Sequence, residues 1–122
     1  MLAAQTWEKL DSEKLSEVIS RNMVSGEDGT LARVLIARGG IVPRHSHRSE
    51  QYTMILSGAL KFVFDDGELI VRPGQVLVIP AHVPHAAEAL EDTWISTFLP
   101  RAARIGSRRR MIICAAELGH RS

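Results

Sequence analysis

Residues 39–58 read GGIVPRHSHRSEQYTMILSG, and residues 73–89 read PGQVLVIPAHVPHAAEA. Between them the two stretches hold four of the five histidines of the chain. Each alternates short runs of β-branched or aromatic residues with Gly and Pro punctuation, the texture of strands joined by tight turns. Outward from them the same texture continues through LARVLIA, ALKFVF, ELIVR and TWISTFL. Turn signals stand at Gly39-Gly40, Ser57-Gly58, Asp65-Asp66-Gly67 and Pro73-Gly74. Asp66-Gly67 between two apolar runs predicts a hairpin, because both residue types tolerate positive φ. Many short strands at close spacing predict an all-β sandwich or barrel.

Strand geometry turns the histidine count into a site. Side chains of an extended strand alternate faces with period two. His45, His47 and Gln51 share one parity and so can point to one side, into a barrel. Glu50 has the other parity and is expected to face away. His85 follows a proline-stiffened segment, and His82 is expected at a loop or surface. Imidazole binds Zn, Ni, Fe, Mn and Cu, and a neutral amide oxygen can complete the set. The metal ligands expected are therefore His45, His47, Gln51 and His85, around one divalent transition metal. Three neutral histidines and a neutral glutamine leave the ion's charge uncompensated, which favours an anionic ligand such as a carboxylate or enolate.

These stretches resemble the two motifs of the cupin superfamily. Gly39, His45, His47 and Gly58 match the first, with Gln51 where that motif has Glu. Gly74, Pro80 and His85 match the second, with His82 in place of a Gly and Ala89 in place of an Asn. The likeness covers about residues 31–100. It implies a double-stranded β-helix, a jelly-roll barrel with one metal site, and a homodimer. The Gln at the Glu position and the string resembling PxxVPHxAEAxED are similar to small stand-alone cupins of the pectin-degradation type. Those convert a cyclisable unsaturated uronate into a linear keto sugar.

The rest of the chain frames this core. Its 122 residues, 45% apolar and 24% charged, suit one globular domain. Residues 1–30 read as an N-terminal lead-in packing on the barrel or a dimer partner; within it, residues 8–20 suit either a short helix or an extended segment. Residues 31–100 are the barrel and 101–122 a basic tail, with six arginines against one acid. A helix is expected at 108–118, stopped by Gly119. The single cysteine, Cys114, allows no internal disulfide and suits a reducing compartment. The N-terminus lacks the apolar run of a signal peptide, and no stretch has the length of a membrane span. The expectation is a cytoplasmic protein that engages neither membrane nor nucleic acid. Phe62 and Phe64 read as core, with Phe62, Trp94 and Phe98 as candidate walls of a substrate pocket. No catalytic residue is assigned. The leading reading is an enzyme acting on a small anionic metabolite by isomerisation or ketonisation, with the metal as Lewis acid. The alternatives are an Fe-, Mn- or Cu-dependent dioxygenase, a non-catalytic ligand-binding cupin, and a metal-free structural barrel.

Overall fold

A computed structural model describes residues 2–101. Period-two burial dominates it. In β5 (Gln51–Ser57), Gln51, Thr53 and Ile55 are buried while Tyr52, Met54 and Leu56 are exposed. In β10 (Thr93–Pro100), Thr93, Ile95, Thr97 and Leu99 point inward. In β3 (Gly29–Ile36), Thr30, Ala32, Val34 and Ile36 do the same. An alternating strand buries one face only, so two sheets must close on each other.

The other strands are β1 (Glu13–Lys14), β2 (Ile19–Ser25), β4 (Ile41–His45), β6 (Leu60–Phe64), β7 (Gly67–Val71), β8 (Val76–Ile79) and β9 (His85–Ala89). One sheet runs β1-β2-β3-β10-β5-β8 and the other β4-β9-β6-β7, with every pairing antiparallel. This is the all-β jelly roll expected. The core lies between the sheets, with Ile36, Ile55, Leu60, Phe62 and Ile79 among its best-buried members.

Residues 8–20 are neither one helix nor one extended arm. A single 3-10 turn at Trp7–Lys9 precedes the two-residue β1, and Ile19 already opens β2. β2 pairs with β3 along its whole length, from Ile19↔Ile36 to Ser25↔Thr30, so the lead-in supplies a full strand to the larger sheet. The expected terminal helix at 108–118 lies outside the described residues.

The β6–β7 hairpin forms with Gly67 at a positive φ of 151°, but Asp66 does not share it. Phe64 pairs with Gly67, so the two loop residues are Asp65 and Asp66, both at negative φ. Gly58, between β5 and β6, is where glycine is required. Its φ is +92°, and a Cβ there would lie 2.5 Å from the Asp92 carbonyl oxygen. Gly58→Ala is expected to destabilise the protein by about 2 kcal/mol, from left-handed strain plus backbone crowding. Urea unfolding measures it, and a midpoint unchanged from wild type would refute the crowding.

Candidate metal centre

Backbone pairing builds the centre. His45, the last residue of β4, is the register partner of His85, the first of β9. Their ring centroids are 4.4 Å apart. β4 ends there, so His47 stands in the loop to β5, not on a continuous strand. That loop is pinned by the His82 backbone N–H donating to the His47 carbonyl at 2.8 Å. The His47 ring lies 5.2 Å from that of His85 and 5.5 Å from that of His45. One nitrogen from each of the three rings falls within 4.8 Å of the others.

Each ring is held by the same device. Nδ1–H donates at 2.8 Å to a backbone carbonyl two residues away: His45 to Pro43, His47 to Ser49, and His85 to Val83. A neutral imidazole has one N–H, so these bonds leave Nε2 as the lone-pair nitrogen. Ligating histidines are oriented in this way by their other ring nitrogen.

Two atoms of the centre lack the partner they need. His85 Nε2 is buried without a hydrogen bond. His47 Nε2 lies 3.0 Å from Gln51 Oε1, while its Nδ1 already donates to Ser49. Two acceptors flank a ring with one proton to give. The Gln51 oxygen faces His47 because the amide Nε2–H₂ donates to Thr53 Oγ1 at 2.7 Å. A cation resolves both conflicts. Two donors cis on an ion at ~2.1 Å stand ~3 Å apart, which is the spacing between His47 and Gln51. The donor set fits a divalent transition metal. Burial pushes the His85 pKa down to about 4; the Val83 hydrogen bond opposes this and the neighbouring His45 and His47 add to it. The ring is therefore neutral, and competent as a ligand, well below pH 6.

His45 and His85 open onto a cavity of about 70 Å³ inside the barrel. His45, Gln51, His85, Phe62, Thr97 and Arg21 are among its lining residues. Trp94 and Phe98 are not, which corrects the expectation that they form pocket walls. Thr93, Ile95, Thr97 and Leu99 take the inward positions of β10, leaving Trp94 and Phe98 on the outer face. There Trp94 stacks under the Arg33 guanidinium at 4.5 Å, and Phe98 lies 6.0 Å from Tyr52. Glu50 is exposed and accepts the Tyr52 hydroxyl at 2.7 Å. His82 is exposed in a turn at φ 68°, a left-handed position that favours the glycine of the related motif. Arg44 is exposed and paired with Asp65. Arg21 had no sequence-based expectation. Its one signal was the alternation Ile19, Arg21, Met23 within β2, which places a cation in an apolar inward row.

An antiparallel barrel with three converging imidazoles at one end of its cavity defines the class. The chain belongs to the cupin domain family, whose pattern matches residues 32–99. Solved structures agree. KdgF from Halomonas sp. superposes with a TM-score of 0.74 at 26% identity, over 84% of this chain and 97% of that one. An RmlC-like cupin from Shewanella frigidimarina gives 0.74 at 18% identity, over 82% and 91%. Oxalate decarboxylase from Bacillus subtilis gives 0.69 at 15% identity, over 84% of this chain and 30% of that one. No curated protein sequence matches the chain. No helix among the described residues is long and apolar enough to cross a membrane.

Proposed function

We propose that this cupin is a metal-dependent enzyme that isomerises or ketonises a small anionic metabolite, with His45, His47, His85 and Gln51 holding one divalent ion. The observation that carries the reading is the shared orientation of three imidazoles, each with Nδ1 spent on a backbone carbonyl. The likeness to Halomonas KdgF and to small cupins with a Gln in the first motif supports it. A bound divalent ion supplies Lewis acidity toward a carbonyl or carboxylate oxygen. The chain's own part is to bind, orient and exclude. Phe62, Leu60 and Ala87 make the wall apolar and limit water. Thr97 puts a hydroxyl on the wall, 3.2 Å from Thr53 Oγ1. Among the described residues no carboxylate lines the cavity. Of the acidic residues that follow His85, Glu88 lies 3.5 Å from Lys61, and Asp92 accepts the Arg38 backbone N–H.

Metal analysis of protein purified without added ions, followed by NMR of an unsaturated uronate incubated with it, tests the reading. Zn or Ni with conversion to the linear keto sugar supports it. Oxygen consumption with Fe, Mn or Cu replaces it with a dioxygenase. A protein that takes up no divalent ion removes it.

We also propose that the chain forms a homodimer, through the outer face of the larger sheet. Tyr52, Met54, Val76, Val78 and Phe98 are exposed, and the pairs Tyr52↔Val78, Met54↔Val76 and Phe98↔Tyr52 make them contiguous. Contiguous apolar surface of this kind marks an interaction site. Sedimentation equilibrium is expected to give a dimer for wild type and a weakened dimer for Met54→Glu, with metal content unchanged. A monomeric wild type at high micromolar concentration refutes it.

A further inference from the structure

We infer that Arg21 is a second anion anchor in the barrel, so that the cavity takes a small molecule with a carboxylate at one end and a metal-binding oxygen group at the other. The inference deepens the function proposed above and rests on its metal centre. Arg21 faces inward between Ile19 and Met23, opposite Val34, and is only 9% exposed. It lines the same cavity as His45, Gln51 and His85. Burying a guanidinium in an apolar wall is costly unless its donors are used.

Its side-chain partner among the described residues uses them poorly. Glu13 accepts Nε at 3.2 Å and Nη2 at 2.8 Å on the same oxygen, Oε1, so the contact is not the parallel two-bond fork that guanidinium and carboxylate form best. Among the described residues, the Arg21 hydrogen bonds to a side chain use Nε and Nη2, not Nη1. The Glu13 side chain is itself 57% exposed. It stands on β1, an edge strand joined to the sheet by the pairs Glu13↔Arg21 and Lys14↔Ser20 alone. A ligand carboxylate arriving from the cavity that Arg21 lines competes for the guanidinium with a partner that water can take over. A purely structural ion pair has no need to face the histidine cavity.

The cavity's charge pattern selects the ligand class. Its wall carries the Arg21 cation with His45 and His85, and no carboxylate among the described residues. Held at two points, a dicarboxylate or a keto or hydroxy acid of matching length gains over a monocarboxylate, which has only the metal end to bind. A hydrogen-bonded charge pair of this kind is worth about tenfold or more in affinity.

Isothermal titration of the zinc-loaded full chain with acetate, malonate, succinate and glutarate tests this. At least one dicarboxylate is expected to bind about tenfold or more tighter than acetate. Arg21→Gln is expected to abolish that advantage while leaving metal content and acetate affinity unchanged. Arg21→Lys keeps the charge without the fork and is expected to fall between, which covers a Gln variant that does not fold. Glu13→Gln, which removes the competing charge, is expected to tighten the dicarboxylate severalfold. Equal binding of acetate and every dicarboxylate by wild type, or an undiminished dicarboxylate advantage in both Arg21 variants, overturns the inference. The metal reading fails separately: a chain that takes up no zinc yet binds dicarboxylates through Arg21 refutes the enzyme and leaves the anchor standing.

Discussion

Purified His85→Ala protein is expected to contain no stoichiometric metal and to lose divalent-ion affinity by more than a hundredfold. Loss of a group that merely orients a ligand costs ten- to a hundredfold in metal affinity, and loss of a ligand costs more. His85 is the member of the cluster with the fewest alternatives. It is 2% exposed, its Nδ1 is committed to Val83, and its Nε2 is buried with no hydrogen bond. Inductively coupled plasma analysis and competition with a chelator read the outcome. Metal retained at wild-type stoichiometry in His85→Ala would remove this residue from the ligand set.

The same residue predicts a pH dependence for the metal-free protein. His85 has a folded pKa of about 4 against the ordinary 6.5. As pH falls below 6.5 the unfolded chain takes up this proton and the folded chain does not. The stability tied to neutral His85 is therefore complete above pH 6.5, falls between 6.5 and 4, and is gone below 4. The loss is about 3 kcal/mol at 1.36 kcal/mol per pKa unit. The difference in urea-unfolding free energy between metal-free wild type and metal-free His85→Ala should carry this slope. A difference that stays flat from pH 7 to 4 would show that His85 titrates normally.

Much of this was legible in the sequence because short strands leave a period-two record. QYTM alternates polar and larger apolar residues, and the structure buries the Gln51, Thr53 and Ile55 parity, leaving Tyr52, Met54 and Leu56 outside. The parity argument reached the right side of the barrel for His47 and Gln51 by a route the chain does not follow. The strand stops at His45, and a loop containing the buried Ser49 returns the chain to β5. What carried the site was the coincidence of two histidine-bearing stretches, which β4–β9 pairing makes adjacent. TWISTFL was less readable, because both its parities carry large apolar groups. Its inward row became clear only from eight residues of pairing with β3. Arg21 and Glu13 were missed for a different reason. They belong to strands that resemble no motif, and their meeting depends on a cross-strand register between segments eight residues apart.

Gln51→Glu is expected to tighten the metal and weaken anion binding to the metal-loaded protein by about a hundredfold. The fold accommodates the change. Gln51 now donates to Thr53 Oγ1, and Thr53 Oγ1 lies 3.2 Å from Thr97 Oγ1, in a contact either hydroxyl can donate. With a carboxylate at position 51, the Thr53 hydroxyl can turn and donate to it, and Thr97 can donate to Thr53 in turn. No buried donor or acceptor is stranded, but an ionised carboxylate at this buried position has no compensating charge until the metal binds, so the metal-free variant should lose stability as pH rises above the carboxylate's ordinary pKa. The electrostatics of the metal-loaded centre change as well. Three neutral imidazoles and a neutral amide leave the full charge of a divalent ion facing the cavity, and a carboxylate ligand cancels half of it. One unit charge 4 Å from an anion at an effective dielectric near 20 is worth about 4 kcal/mol. Even a fraction of that moves affinity by a factor of ten to several hundred. Titration of acetate into zinc-loaded wild type and Gln51→Glu, with zinc content verified in both, measures it without needing the substrate. Equal or tighter acetate binding by the variant would mean that Gln51 does not set the charge of the centre. Its place beside His47 would then serve to hold the ring, and the preference for anions would have to come from Arg21 alone.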